Sequence, residues 1–368
     1  MIKTETRLSR QINSRDLTST IGKHLIEEGK PFIKEDTVLA LDLSDISKKY
    51  SEEQEGLASV RDGSTGEIKD GWPILAIVGA DIRADKVVPL YGKLYTKRGF
   101  GFKSENLEIL NAIDEVINSI GKKGIWTLDR GADRRKLFVP ILQKEIKFVV
   151  RMTTQRDMIN SEGGKQNIAK IAKGTRCSKK VEITIHPKGD FPRKKMARIG
   201  FQKVSFTFKE DKKLTLVVIK GMGKEPIMLL TNLKVEKDED ALWIMEIYLT
   251  RWKCEESFRF IKNAYQLEDV RLLKYEGLRN IISFIMAVIT SLLGYFKNTP
   301  PEKFDAGKFL ATVLIGVLVG LLTGGLGWTY EAATEWLASS GLIVWIYWFA
   351  NIIANRLAHK PKTTTKIS

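Results

Sequence analysis

Between Thr37 and Met152 the apolar residues come in short runs separated by turn residues, a pattern that restricts this part of the chain to a sheet with few helices between its strands. The first run, "TVLALDLSDI" (Thr37–Ile46), ends on a carboxylate, and "VRDGSTGEIKDGW" after it supplies Gly, Ser and Asp for a turn. "PILAIVGADI" and "KVVPLYGKLY" read as two further strands, so the opening is an antiparallel meander. The period then changes. Asn106–Ile120 has helical spacing, "GIWTLDRG" is a short buried strand, "ADRRKLFVPILQK" a helix and "IKFVVRM" another strand. The order β-β-β-α-β-α-β predicts an α/β fold around a sheet of mixed strand direction.

Charge narrows the partners. The chain has 368 residues, with 60 Lys and Arg against 44 Asp and Glu, a net charge of +16 that favours a polyanion: nucleic acid or an anionic membrane surface. Residues 151–213 hold 17 basic and 6 acidic residues, most of that excess, alongside alternating pieces such as "VEITIH" and "KVSFTFK". A β-rich insertion with basic loops is expected there, and it is the first candidate for the polyanion-facing surface. Cys177 and Cys254 form no C-x-x-C pair, and His24, His186 and His359 are scattered, so soft-metal chemistry and a disulfide framework are excluded as readings. The first sixteen residues carry no apolar run after their basic ones, unlike a secretory leader.

The chain turns apolar near its end. Phe309–Tyr330 holds 22 uncharged residues and Leu337–Asn355 holds 19, each long enough to span a bilayer. Basic residues flank the pair and Glu331 and Glu335 lie between, as a membrane hairpin requires; a buried helical cap packed through Gly316, Gly320, Gly324 and Gly325 is the alternative. The expected organisation is a helical lead-in (1–36), a first core segment (37–150), the basic insertion (151–225), a second core segment (226–275) and an apolar all-α region (276–368).

Within the second core segment, "YLTRWKCEESFRFIK" (Tyr248–Lys262) reads as a helix. Tyr248, Arg251, Glu255 and Lys262 fall within a wedge of about 60° at roughly 100° per residue. Ile247, Cys254, Phe258 and Ile261 form an apolar stripe beside it, so the helix is half buried and presents a chemical edge. Asp42 closes the first strand and Asp129 closes "GIWTLD"; carboxylates at the ends of neighbouring strands can converge, with Glu255 completing the cluster. Three hard oxygen donors suit Mg²⁺ or Mn²⁺, and a pair of such ions drives in-line phosphoryl transfer. Arg251 and Lys262 would then hold phosphate oxygens, as a fork and a point charge, and Tyr248 would donate to a phosphate. The bland alternatives are turn aspartates, a solvated Glu255–Arg251 or Glu255–Arg259 bridge, and a Trp252 that merely fills the core.

These residues carry a resemblance. Tyr248, Arg251, Glu255 and Lys262 match without a gap the Y-x2-R-x3-E-x6-K signature of one group of insertion-sequence transposases of the DDE type. "LDRGADRRKLF" looks like that family's second-aspartate block, with Asp129 leading Arg130, Ala132 and Asp133, and "LALDLSDI" looks like its first. The similarity spans about Val38–Lys274. It implies a ribonuclease-H-like fold with a β-rich insertion before the last catalytic helix. It also implies a triad of Asp42, Asp129 and Glu255 binding two Mg²⁺ (Mn²⁺ substituting), and nicking of double-stranded transposon ends through a hairpin before joining to target DNA. Tyr248, Arg251, Lys262, Arg130 and Trp252 would contact DNA, with Trp126 or Trp252 stacking on a displaced base. A homodimer on paired ends, in a cytoplasmic, nucleoid-associated setting in a bacterium or archaeon, is implied. Asp45 stands three residues from Asp42; it is expected to lie past the strand end and point elsewhere. A non-catalytic DNA-binding remnant and a membrane-anchored basic protein are the other readings.

Overall fold

The first strand, β1 (Val38–Ser47), is longer than its apolar run because it has a partner for every residue: it pairs antiparallel with β3 (Ile68–Ala80) from Val38↔Ala80 to Ser47↔Gly71. This computed structural model describes residues 10–295 except 11, 49–50, 52, 62–65, 84–86, 100, 186–192, 265–266 and 271. It also describes 328–340 and the isolated positions 314, 315, 318, 342, 346 and 348. The far edge of β3 is shared by β2 (Ala58–Arg61) and β4 (Val87–Leu94), both antiparallel to it. On the other side, β1 runs parallel to β5 (Ile125–Leu128), and β5 parallel to β6 (Lys147–Arg151).

Strand alternation decides what packs where. Leu39, Leu41, Trp126, Leu128, Phe148 and Val150 turn to one face. There they meet Ile109, Ile113 and Val116 of α2 (Glu105–Ile120) and Phe138 of α3 (Arg135–Lys144). Val38, Ala40, Ile125 and Val149 turn to the opposite face. Helix α2 starts where Ser104 accepts a hydrogen bond from Leu107 N at 3.2 Å and ends at Gly121, whose φ of 74° only glycine adopts cheaply. The lead-in contributes α1 (Thr18–Gly29), whose Leu25 and Ile26 are buried. Asn280 anchors the preceding turn by donating to Ile12 O (2.8 Å) and Arg15 O (2.7 Å) and accepting from Leu17 N (2.9 Å).

The segment after β6 contains β7 (Asp157–Ile159), β8 (Lys165–Asn167), α4 (Ile168–Gly174), β9 (Lys179–Ile185), β10 (Arg193–Phe206) and β11 (Lys209–Lys220). Its strands do not form a separate sheet. Through β12 (Ile227–Thr231), which pairs antiparallel with both β11 and β6, they continue the central one, giving twelve strands among the described residues. Basic side chains of this extension are exposed, including Lys194, Lys195 and Arg198 in the first half of β10. The loop expected at the β9–β10 tip lies outside the described residues.

Helices α5 (Asp238–Thr250), α6 (Trp252–Ala264) and α7 (Tyr275–Tyr295) follow. Leu278, Ile282, Ile285 and Met286 of α7 share a buried cluster with Ala40 and Cys254, so α7 belongs to the core and not to the apolar region expected from residue 276. The compact unit runs to Leu293, and residues 294–368 form a second one. That second unit contains α8 (Tyr330–Ser339), capped by Thr329, with Trp328 and Trp336 edge to face at 5.7 Å. Most of the two apolar runs lies outside the described residues; among those described, no helix is long and apolar enough to cross a membrane.

Candidate active site

Asp42 does not close β1. It sits in mid-strand on the face opposite Leu41, because pairing with the long β3 extends β1 five residues beyond it. Asp45 is therefore also inside the strand; it is buried, with Lys262 Nζ 3.7 Å away. Asp129 does follow its strand, at the carboxyl end of β5, in extended conformation. Carried two pairs beyond Ala40↔Thr127, the parallel β1–β5 register brings Asp42 level with Asp129.

The expected single helix is broken at Arg251, between α5 and α6. Thr250 Oγ1 donates back to Glu246 O at 2.8 Å, a bond that bends helices. The break leaves the wedge facing the sheet. Tyr248 is 4 % exposed and donates its hydroxyl to Asp129 Oδ1 at 3.4 Å. Arg251 is 3 % exposed; its Nη1 lies 3.3 Å from Asp42 Oδ1, its Nη2 donates to Glu255 Oε1 at 2.6 Å, and its guanidinium lies 5.5 Å from the Tyr248 ring centre. Lys262 pairs with Asp45 and, at 3.9 Å, with Glu268. Of the apolar stripe, Ile247 and Cys254 are fully buried, while the side chains of Phe258 and Ile261 lie outside the described residues.

The electrostatics follow from crowding charge in a dry place. Burial pushes the Asp42 carboxyl up to about 7, outweighing Arg251, and Glu255 and Asp129 add to the rise. Burial opposes the charge on Arg251, yet Tyr248, Asp42, Glu255 and Asp129 overcome it, so Arg251 stays firmly cationic with a raised pKa. The Tyr248 hydroxyl is raised by burial and by Asp129, against Arg251 and Arg151. Cys254, buried behind Asp42, is held protonated chiefly by burial, which makes it packing and not a nucleophile.

Other expectations divide. Arg130 is exposed beside Asp129, and Trp252 is 48 % exposed, so it is not core. Trp126 is fully buried among the α2 and α3 contacts and cannot reach a base. Asp133 stays out of the site: its buried carboxylate accepts from Thr153 N (2.9 Å), Thr153 Oγ1 (2.7 Å) and Arg156, tying the start of α3 to the β6–β7 connection. Two contributors escaped the sequence reading. Arg151 sits close enough to hold the Tyr248 hydroxyl pKa down against burial, and its signal was a lone cation ending the buried strand "FVV". Lys48 is 6 % exposed and donates to the carbonyls of Leu267 (3.1 Å), Glu268 (2.6 Å) and Val270 (2.8 Å), fastening the chain beyond α6 to the end of β1. A lysine whose partners are backbone carbonyls leaves no mark in sequence.

The family model for the transposase DDE domain matches residues 106–291, half of the chain, and that span includes Asp129, Tyr248, Arg251, Glu255 and Lys262. The chain belongs to this transposase family. Asp42 lies before the matched span and is tied to the DDE domain by its contact with Arg251. Among solved structures, the chain is similar to the piggyBac transposase in a synaptic complex with hairpin DNA, at 12% identity and a TM-score of 0.41, over 89% of this chain and 55% of that one. The chain thus spans about half the length of that protein. No curated protein matches it.

DDE domains work with divalent cations, and the donor set suits them: three carboxylates, Asp42, Asp129 and Glu255, crowd closely enough to raise the pKa of Asp42. As they stand, no three acidic, His or Cys side chains among the described residues converge tightly enough to hold an ion, and Arg251 occupies the space between Asp42 and Glu255.

Proposed function

We propose that the chain is an active DDE transposase of the group marked by Tyr248, Arg251, Glu255 and Lys262, built on a ribonuclease-H-like core. It nicks double-stranded DNA at transposon ends, forms and reopens a hairpin, and joins the freed 3′ end to target DNA. The strand order β4-β3-β1-β5-β6, with β3 antiparallel to its neighbours and β1, β5 and β6 parallel, supports the core assignment. The observation that carries the reading is the meeting of three distant segments at one point: Asp42 from β1, Asp129 after β5, and the α5–α6 stretch that carries Tyr248, Arg251 and Glu255.

Asp42, Asp129 and Glu255 would hold two divalent cations, Mg²⁺ or Mn²⁺. When bound, these lower the pKa of an attacking water or 3′-hydroxyl and offset charge on the leaving oxygen. The chain supplies the rest. Tyr248 fixes the Asp129 carboxylate through its hydroxyl, whose proton loss Arg251 and Arg151 favour electrostatically against burial. Buried neighbours keep bulk water from the β1 side of the cluster, where Cys254 and Ala40 are fully buried. Arg251 and Lys262 neutralise non-bridging phosphate oxygens. Exposed Arg130 contacts the DNA backbone, and exposed Trp252 stacks on a base displaced during hairpin formation. The basic extension through β10 and β11 carries flanking duplex, and two copies pair the two ends.

The test is cleavage of labelled duplex DNA carrying the element's own end, with Mg²⁺, comparing the natural chain with Glu255→Gln. Metal-dependent nicking that disappears in the variant is expected. Binding by both proteins with cutting by neither, in Mg²⁺ or Mn²⁺, would reduce the chain to a DNA-binding remnant.

A further inference from the structure

Arg251 has a position that phosphate binding alone does not explain. Its guanidinium is buried between two carboxylates that the proposed chemistry needs for a cation, with one Nη on Asp42 at 3.3 Å and the other on Glu255 at 2.6 Å. Its Nε is buried with no hydrogen-bond partner, so a fork built for several bonds is only partly used. Leaving such a donor buried and unpaired is costly, which argues for a second seat where the donor is satisfied. The backbone at Arg251 is the joint between α5 and α6, so the side chain hangs from a break in the helical ladder.

We infer that Arg251 is a resident counter-ion that exchanges places with the incoming metal. In the chain without metal or DNA, its single charge holds Asp42 and Glu255 together and keeps their mutual repulsion from opening the site. When a divalent cation takes the carboxylates, the guanidinium is released from both and turns to a phosphate of the bound DNA. The consequence is thermodynamic coupling. A cation entering without DNA must displace an arginine that has nowhere comparable to go, whereas DNA offers Arg251 a phosphate, so metal and DNA bind cooperatively. The free chain is thereby kept from loading metal before it holds an end. This inference rests on the metal-dependent reading above, and goes beyond it in assigning Arg251 two alternative partners.

The experiment is calorimetric titration of Mn²⁺ into DNA-free protein for the natural chain, Arg251→Gln, Arg251→Lys and Asp42→Asn. Arg251→Gln is expected to bind Mn²⁺ on the order of tenfold or more tightly than the natural chain, within the usual range of coupling between sites. Arg251→Lys keeps the charge but cannot bridge both carboxylates, and should also bind more tightly. If Arg251→Lys matches the natural chain while only Arg251→Gln gains, simple charge repulsion accounts for the result and the exchange is overturned. Equal affinity in all three chains with intact carboxylates, lost in Asp42→Asn, would overturn the exchange yet leave the metal-dependent reading standing. No Mn²⁺ binding by any chain, with or without DNA, would sink both.

Because removing a buried arginine can unfold a protein, a second measurement uses the natural chain alone. A crystal soaked in Mn²⁺ should show anomalous density at Asp42 and Glu255, with the Arg251 guanidinium in hydrogen-bond contact with neither. Mn²⁺ on those carboxylates with both arginine contacts intact would refute the inference.

Discussion

Replacing Asp42 by asparagine should stabilise the metal-free chain at pH 8 and leave it nearly unchanged at pH 4. Asp42 has an ordinary carboxyl pKa of 3.8, raised to about 7 in the fold by burial first, then by Glu255 and Asp129. Well below pH 3.8 the group is neutral both folded and unfolded and contributes nothing. Between about 4 and 7 only the unfolded chain ionises, so the folded chain binds more protons and loses stability as pH rises. Above 7 both forms are ionised and the penalty is constant. The gap between 3.8 and about 7 corresponds to roughly 4 kcal/mol at pH 8, the size expected for a charge forced into a site where its side chain is 19% exposed. Asparagine has the same shape and no charge to bury. The assay is urea unfolding in EDTA, followed by tryptophan fluorescence, at pH 4.5 and pH 8. The variant should lead by several kcal/mol at pH 8 and by little at pH 4.5. Mn²⁺ should then narrow or reverse the order at pH 8, since it stabilises only the chain that binds it. A variant less stable than the natural chain at pH 8 in EDTA, or a difference that does not change with pH, would refute the reasoning.

Four further outcomes are expected. Lys48→Met removes the donor from three carbonyls and should cost roughly 2–3 kcal/mol, with faster proteolysis between residues 267 and 274 as the local readout. Glu145→Gly relieves a φ of 54° at the end of α3 and should add about 1 kcal/mol in thermal unfolding, since its exposed partner Lys122 contributes little. Trp252→Ala should change stability by under about 1 kcal/mol, because the ring is half exposed, yet impair hairpin formation on end-bearing DNA; unchanged hairpin yield would remove Trp252 from the stacking role. Affinity for duplex DNA in metal-free buffer should fall steeply between 50 and 200 mM salt, as about half a dozen or more phosphate contacts require; a flat response would remove the basic extension from the DNA surface.

Much of the fold was legible because alternation survives in the sequence. Leu39 and Leu41 against Val38 and Ala40 already divide β1 between two faces, and the shift from period two to helical spacing at Asn106 marks α2. The wedge of Tyr248, Arg251, Glu255 and Lys262 was legible for the same reason, since side-chain direction on a helix is set by spacing. What failed to show was set by tertiary partners. The extension of β1 past Asp42 needs the 13 residues of β3 beside it, and a polar "DLSDIS" gives no local sign of that pairing. The break at Arg251 comes from a threonine bonding back to a carbonyl and from two carboxylates pulling on one guanidinium. Assigning α7 to the core required seeing Leu278 and Ile282 against Ala40, a meeting of residues more than two hundred positions apart.

That distance has a consequence for the chain as it is made. Arg251 reaches back 209 residues to Asp42, and Asn280 reaches back 263 to Leu17. A ribosome that has released β1 and its neighbours has produced strands with no catalytic helix to close over them. The acidic cluster can form only after Glu255 has emerged, and the turn before α1 is clasped later still, so a product terminated before α5 would carry the aspartates of the site without its arginine or glutamate.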